Sequence, residues 1–423
     1  MRDYIFKPYF RKADFMKTRI STILKSIPAD VLLFLGACCF WGFSTSVGDA
    51  IFNNFLNESF QMSNFKRSFL EVPRELPGLS VVFVSALFFF LCSRRLAALA
   101  MLFSAIGTLL LALTPPVYLT MLIWLFLLSM GQHIMLPLSS SIGMELARSG
   151  HTGKRLGQFN SAKNFAAISG SALVFLGFRY LHFSFSSTFI IASIGFLIAS
   201  ALLLKMKKQP SQNTSSNLKI YKEYNLYYLL SILYGARKQI FLTFAPWVLV
   251  TIFKKPTTTV ATLMTIGGAV GIFFQPFIGW CIDRFGEKLV LASEAVVLIV
   301  ICIGYGTAKD LFSSDIAFFI TAVCFIVDGL LMSVGMARAT WLKKIALHPS
   351  HVTPTLQMAV SLDHVFSISG AVFCGMIWKI WGYQYVFLFA ALIAVINFFS
   401  ALRIKTSIKE RTEETIVSTT ATR

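Results

Sequence analysis

The sequence predicts an all-α membrane protein of twelve transmembrane helices in two pseudo-symmetric six-helix bundles. Three broad observations support this. The 423 residues are 56% hydrophobic, with a mean hydropathy of +0.70. Apolar runs of about 20 residues recur throughout, each long enough to cross a hydrocarbon core roughly 30 Å thick. The one long internal polar stretch, Lys205–Tyr224, is basic and rich in Ser, Asn, Gln and Pro. Such a composition cannot bury enough apolar surface to form a core, so it reads as a linker between two apolar halves.

The formal charge of +19 raises nucleic acid as a partner, but the lysines and arginines sit in short connections between apolar runs. A cytoplasmic-leaflet bias accounts for that placement, and no nucleic-acid partner is expected. The basic segment 1–29 reads as a cytoplasmic, partly interfacial tail. It lacks the A-x-A site of a signal peptide, and Met16 offers a second initiation position. The seven cysteines lie in or at the ends of apolar runs without metal-type spacing. They read as packing residues, and no residue is assigned to a metal or cofactor.

Bundle 30–204 holds spans near Asp30–Phe52, Phe69–Cys92, Leu96–Leu113, Tyr118–Ile142, Leu156–Tyr180 and Ser187–Leu204. Linker 205–224 follows. Bundle 225–404 holds Leu226–Phe253, Thr258–Ile282, Leu289–Ala308, Ile316–Trp341, Val352–Trp378 and Tyr383–Ile404, and segment 405–423 is a tail. An even count puts both termini on one side of the membrane. The Lys/Arg asymmetry of the loops makes that side cytoplasmic in a multi-pass cell-membrane protein.

The halves resemble each other. Span five contains Ile168-Ser169-Gly170 and span eleven Ile368-Ser369-Gly370, with Leu156/Leu356 and Ser161/Ser361 in the same register. Between spans eight and nine stands Gly279-Trp280-Cys281-Ile282-Asp283-Arg284-Phe285-Gly286-Glu287-Lys288. This string resembles the G-x-x-x-D-[RK]-x-G-[RK]-[RK] loop of the major facilitator superfamily, with Glu287 in place of one basic residue. Parallel six-span repeats are also that superfamily's organisation.

The resemblance implies a secondary transporter, not an enzyme, that moves a small solute by alternating access. It also implies a cytoplasmic charge lock of Gly279, Asp283, Arg284, Gly286 and Lys288. In it Asp283 faces the start of span five, where the helix macrodipole favours a carboxylate, and Arg338 is a candidate partner. The matching first-half loop, Leu91-Cys92-Ser93-Arg94-Arg95-Leu96, lacks both Gly and Asp. Two further strings, Arg67 to Gly78 and Ala236 to Trp247, resemble a poorly characterised bacterial branch of the superfamily.

Ionisable groups inside spans are costly and therefore read as functional. Arg237 lies about 16 Å along span seven at 1.5 Å per residue, near the midplane, with Lys238 beside it. Asp328, Asp363 and His364 reach a similar depth, and Gln132 and His133, central in span four, are candidate solute-binding residues. Two readings stand side by side. In one, Arg237 or Lys238 binds an anionic group of the solute while Asp328 or Asp363 carries a coupling proton. In the other, Arg237–Asp328 and Lys238–Asp363 are permanent ion pairs. Glu71, Arg74 and Glu75, in a stretch broken by Pro73 and Pro77, form a gate or proton-coupling cluster that Asp49 can join. Trp41 and Trp247 are candidates for stacking on the solute, and Lys163 reads as stabilising the inner end of span five.

The expected partners are a small-molecule solute, protons and membrane lipids, with the chain a monomer. No Walker A loop, H-E-x-x-H or G-x-S-x-G motif occurs, which argues against nucleotide-driven transport and intramembrane hydrolysis. A transporter-like receptor or sensor, and an efflux exchanger of the same superfamily, are the alternatives.

Overall fold

The structure is a computed structural model and describes residues 27–60, 71–208 and 220–405. The expectations for the N-terminal segment, including Met16, and for the tail and most of the linker lie outside these residues.

Twelve long helices follow in chain order. In the first half they are α1 Ala29–Phe60, α2 Glu71–Leu87, α3 Ser93–Leu113, α4 Tyr118–Glu145, α5 Thr152–Tyr180 and α6 Phe185–Lys205. In the second half they are α7 Asn225–Thr251, α8 Thr257–Phe285, α9 Glu287–Leu311, α10 Ser314–Ile345, α11 Val352–Trp381 and α12 Tyr383–Leu402. α10 is two α-helical pieces joined by a 3-10 turn at Met332–Val334.

Nine of the described helices are long and apolar enough to cross a membrane; α2, α5 and α7 are not among them. α2 is short, with Pro77 inside it. α5 opens on Thr-Gly-Lys-Arg and α7 carries Arg237 and Lys238 in its middle. These three bring polar side chains into the interior, alongside those of α1, α4, α9, α10 and α11. A helix this polar crosses a bilayer only where neighbouring helices receive its charges.

Each half has its own core. Phe34, Met101, Ile134, Met135 and Phe196 are fully buried in the first, and Leu230, Tyr305, Phe387 and Val386 in the second. The outer surface carries exposed large apolar residues such as Phe83, Phe175, Phe273 and Phe319, as lipid contact requires.

The two halves meet through α5 against α8 and α11 against α2. These are equivalent pairs under the 200-residue repeat. Ser161 of α5 donates to the carbonyl of Ile272 at 2.6 Å, and Ser361 of α11 donates to that of Gly78 at 3.4 Å. Leu156 and Leu356 are both buried. At the end of the molecule that carries the described termini, α5 and α8 touch backbone to backbone. A Cβ on Gly153 would lie 2.5 Å from the Gly279 oxygen, so this crossing requires glycine.

Candidate functional site

A cavity of about 240 Å³ lies within the first bundle, from mid-depth toward the face opposite the termini. Trp41 and Asp49 of α1, Arg74 and Glu75 of α2, Gln132 and His133 of α4, and Lys163 of α5 all line it. Four helices therefore place charged or strongly polar groups on one small space.

Lys163 is where the structure departs most from the sequence reading. α5 begins at Thr152, so Lys163 stands eleven residues in, at about 16 Å, near mid-depth. Its Nζ lies 3.4 Å from the centre of the Trp41 ring, a cation–π contact that leaves its charge without a carboxylate within ion-pair distance among the described residues. The face of Trp41 that the sequence offers to a solute is thus taken by Lys163. Asp49 and Arg74 form a loose pair at 3.9 Å, with both side chains open to the cavity.

Arg237 is elsewhere. It is 2% exposed and pairs with Asp328, itself 4% exposed, while Glu294 lies 3.8 Å away. A guanidinium sealed inside the second bundle between two carboxylates cannot meet a solute in the cavity, which corrects its reading as a binding residue. Asp328 is equally sealed, so a coupling proton has no evident access to it. Lys238 pairs with Asp363 at 2.8 Å and Asp363 also accepts from Ser367 at 3.0 Å. This pair ties α7 to α11 and stands closer to the centre, because Lys238 is only half-buried. Both Arg237–Asp328 and Lys238–Asp363 are ion pairs in this structure. Trp247 faces outward and is exposed.

Glu75 sits at mid-depth where α2 meets α4 and α11. Its Oε2 is 3.5 Å from His364 Nε2 and 3.9 Å from His133 Nε2, and the two imidazoles stack edge to face at 4.8 Å. Glu71 is the first residue of α2, and its side chain lies outside the described residues. The meeting of His133 with His364 across the two bundles has no sequence signal, since 231 positions separate them and neither stands in a motif.

At the terminus-bearing end, Asp283 accepts the backbone N–H groups of Gly153 and Lys154, each at 2.7 Å. These are orphan donors of the first turn of α5, so a carboxylate from the other bundle caps that helix. Gly279 allows the approach, and Gly286 ends α8 with φ of 82°. Arg284 and Lys288 are exposed.

Arg338 is not Asp283's partner. It is buried, with its guanidinium 3.7 Å from the centre of the Tyr234 ring. Glu287, which breaks the basic pattern of the loop, is fully buried, and its Oε2 accepts from Lys344 Nζ at 3.0 Å, fixing the start of α9 to the end of α10.

In the first half, Ser93 occupies the position of Asp283 and Thr353 that of Gly153. Their hydroxyls lie 3.5 Å apart, and Thr353 makes a tighter 2.7 Å contact with Ser141 of α4. Lys343 adds a bond to the Met144 carbonyl. The terminus-bearing half is therefore closed by contacts between the bundles, and the cavity lies beyond that closure.

Comparison with known proteins agrees with this architecture. Residues 76–353 match the family model of the Major Facilitator Superfamily. Among solved structures, the transporter FucP in the outward conformation superposes with a TM-score of 0.72 at 14% identity, covering 90% of this chain and 100% of that one. The proton:xylose symporter XylE bound to 6-bromo-6-deoxy-D-glucose gives 0.66 at 17% identity, covering 88% and 94%. A bacterial homologue of the iron transporter ferroportin, outward-facing, gives 0.67 at 14%, covering 89% and 99%. At such identities the likeness speaks to the fold alone. A search of curated protein sequences returned no match. With two six-helix halves, a polar cavity at mid-depth and a family model spanning well over half its length, the chain is a multi-pass membrane protein and a secondary transporter of the Major Facilitator Superfamily.

Proposed function

We propose that the protein carries a small anionic solute together with protons across the cell membrane. It acts as a monomer by alternating access, with both termini in the cytoplasm. The observation that carries this reading is Lys163, a cation on the cavity wall that stacks on the Trp41 ring and has no carboxylate within ion-pair distance among the described residues, across a space that Arg74 also lines. Two cations facing one small cavity recognise a carboxylate, phosphate or sulfonate far better than a neutral sugar.

Coupling follows from the same geometry. An anion that engages Arg74 and Lys163 displaces the Asp49 carboxylate from Arg74. Left beside the bound anion, Asp49 takes a proton from the water on the open side. The other ionisable groups on that wall are Glu75 and His133. The solute then moves with one proton, and release of Asp283 from α5 opens the terminus-bearing side. Two of the similar folds are described as proton symporters, FucP for fucose and XylE for xylose, which makes the proton the coupling ion to test first. The Lys/Arg bias of the loops supports the orientation, with the cavity then open to the outside.

The test is uptake into proteoliposomes under an inward proton gradient, using panels of small carboxylates, phosphates and neutral sugars. The expected result is accumulation of an anion that a protonophore abolishes and that Lys163→Gln reduces at least tenfold. Uptake of a neutral sugar indifferent to Lys163→Gln, or anion uptake indifferent to the protonophore, refutes the reading.

A further inference from the structure

We infer that Glu75, His133 and His364 form a binding site for a divalent first-row transition-metal ion, built from both bundles at mid-depth. The argument begins with which ring nitrogens carry hydrogen. His133 Nδ1 lies 2.8 Å from the Ser129 carbonyl, and His364 Nδ1 lies 2.7 Å from the Val360 carbonyl. A carbonyl only accepts, so each Nδ1 is the donor. Ser129 Oγ donates to the Arg74 carbonyl, which leaves it too as an acceptor for His133. In each neutral imidazole the Nε2 is then a bare lone pair.

Both bare nitrogens face the same carboxylate oxygen. The three ligand atoms lie within 4.8 Å of one another, with no donor between them. Three acceptors turned on one point are satisfied together by a cation placed there. Ligands at about 2.0–2.1 Å in a tetrahedral site stand roughly 3.3 Å apart, so shifts of well under a helix diameter suffice to close this set on an ion. Two imidazoles and a carboxylate, with a fourth direction left to water, suit zinc, cobalt, nickel or ferrous iron better than calcium or magnesium. The Nδ1–H to carbonyl bonds are the outer contacts that orient metal-binding histidines.

Two further features fit. Glu75 and His133 line the cavity, so an ion reaches them from solvent. A Cβ on Gly78 would stand 2.2 Å from the His364 ring, so the glycine one turn below Glu75 makes the space the imidazole occupies. The neighbouring cation, Lys238, is neutralised by Asp363 at 2.8 Å. The inference is independent of the solute proposed above, which rests on Lys163 and Arg74.

The experiment uses the purified full-length protein, stripped with a chelator, titrated with Zn²⁺ and Co²⁺. Expected are a rise in melting temperature with Zn²⁺, visible ligand-field absorption with Co²⁺, and no effect of equimolar Ca²⁺ or Mg²⁺. His133→Ala and His364→Ala should each weaken metal binding at least tenfold, while Lys163→Gln leaves it unchanged. X-ray absorption of the Zn²⁺-loaded wild type needs no variant and should show a nitrogen/oxygen shell with two imidazoles. Absence of stabilisation at micromolar metal, wild-type affinity in both histidine variants, or a shell without imidazole overturns the inference. Loss of anion uptake in Lys163→Gln with metal binding intact separates the two sites.

Discussion

Replacing Asp283 by Asn tests the closure between the bundles most directly. Asp283 holds the α5 N-terminus by two hydrogen bonds of 2.7 Å. A hydrogen bond to a charged group contributes about 1.5–3 kcal/mol, and the helix N-terminus adds about 0.3–1 kcal/mol for an anion. Asn keeps one acceptor but turns an NH₂ toward the second N–H and removes the charge. Because Asp283 is half-buried and the Lys154 bond is solvent-facing, the loss taken is about 2 kcal/mol, which is a roughly thirtyfold fall in the ratio of closed to open states at the terminus-bearing side. Spin labels at Ser149 and Lys288, exposed on opposite sides of the contact, report the separation by pulsed electron resonance. A longer-distance population should grow in Asp283→Asn. An unchanged distance distribution together with unchanged transport refutes the assignment of Asp283 to closure.

Gly153→Ala places a Cβ 2.5 Å from the Gly279 oxygen, so it should open the same distance as Asp283→Asn, and combining the two should give less than the sum of their effects. Asp49→Asn should still bind the anion but move it without protons, seen as uptake that no longer acidifies the liposome lumen. Arg237→Gln leaves Asp328 and Glu294 buried without their guanidinium and should cost about 3–5 kcal/mol of stability. A melting curve checks this, and adding Asp328→Asn should recover part of the loss because one stranded charge is removed.

The helices were legible because lipid imposes length and hydropathy on them, and the Arg237–Asp328 and Lys238–Asp363 pairs because depth along a helix can be counted. Lys163 was not. The apolar pattern starts span five at Leu156, whereas the helix starts at Thr152, since a cap supplied by Asp283 in the other bundle stabilises a polar first turn. That offset moves Lys163 four residues deeper, from the edge to the middle. Arg338 misled because its place near the inner end of span ten does not fix which way its side chain turns, and it turns onto the Tyr234 ring. The approach of His133 to His364 depends on how two bundles dock, which no local pattern encodes.

The unequal treatment of two equivalent positions has a consequence for how the molecule moves. Asp283 grips α5 through a charge, whereas its counterpart Ser93 meets α11 through a long contact between neutral hydroxyls. A duplicated chain thus carries two latches of different strength. At the terminus-bearing end the Ser93–Thr353 contact should part at smaller thermal cost than the grip of Asp283 on α5, and the latter should loosen more as salt is added. Opening would then be a lopsided swing pivoting on α5, in which one seam leads and the other follows.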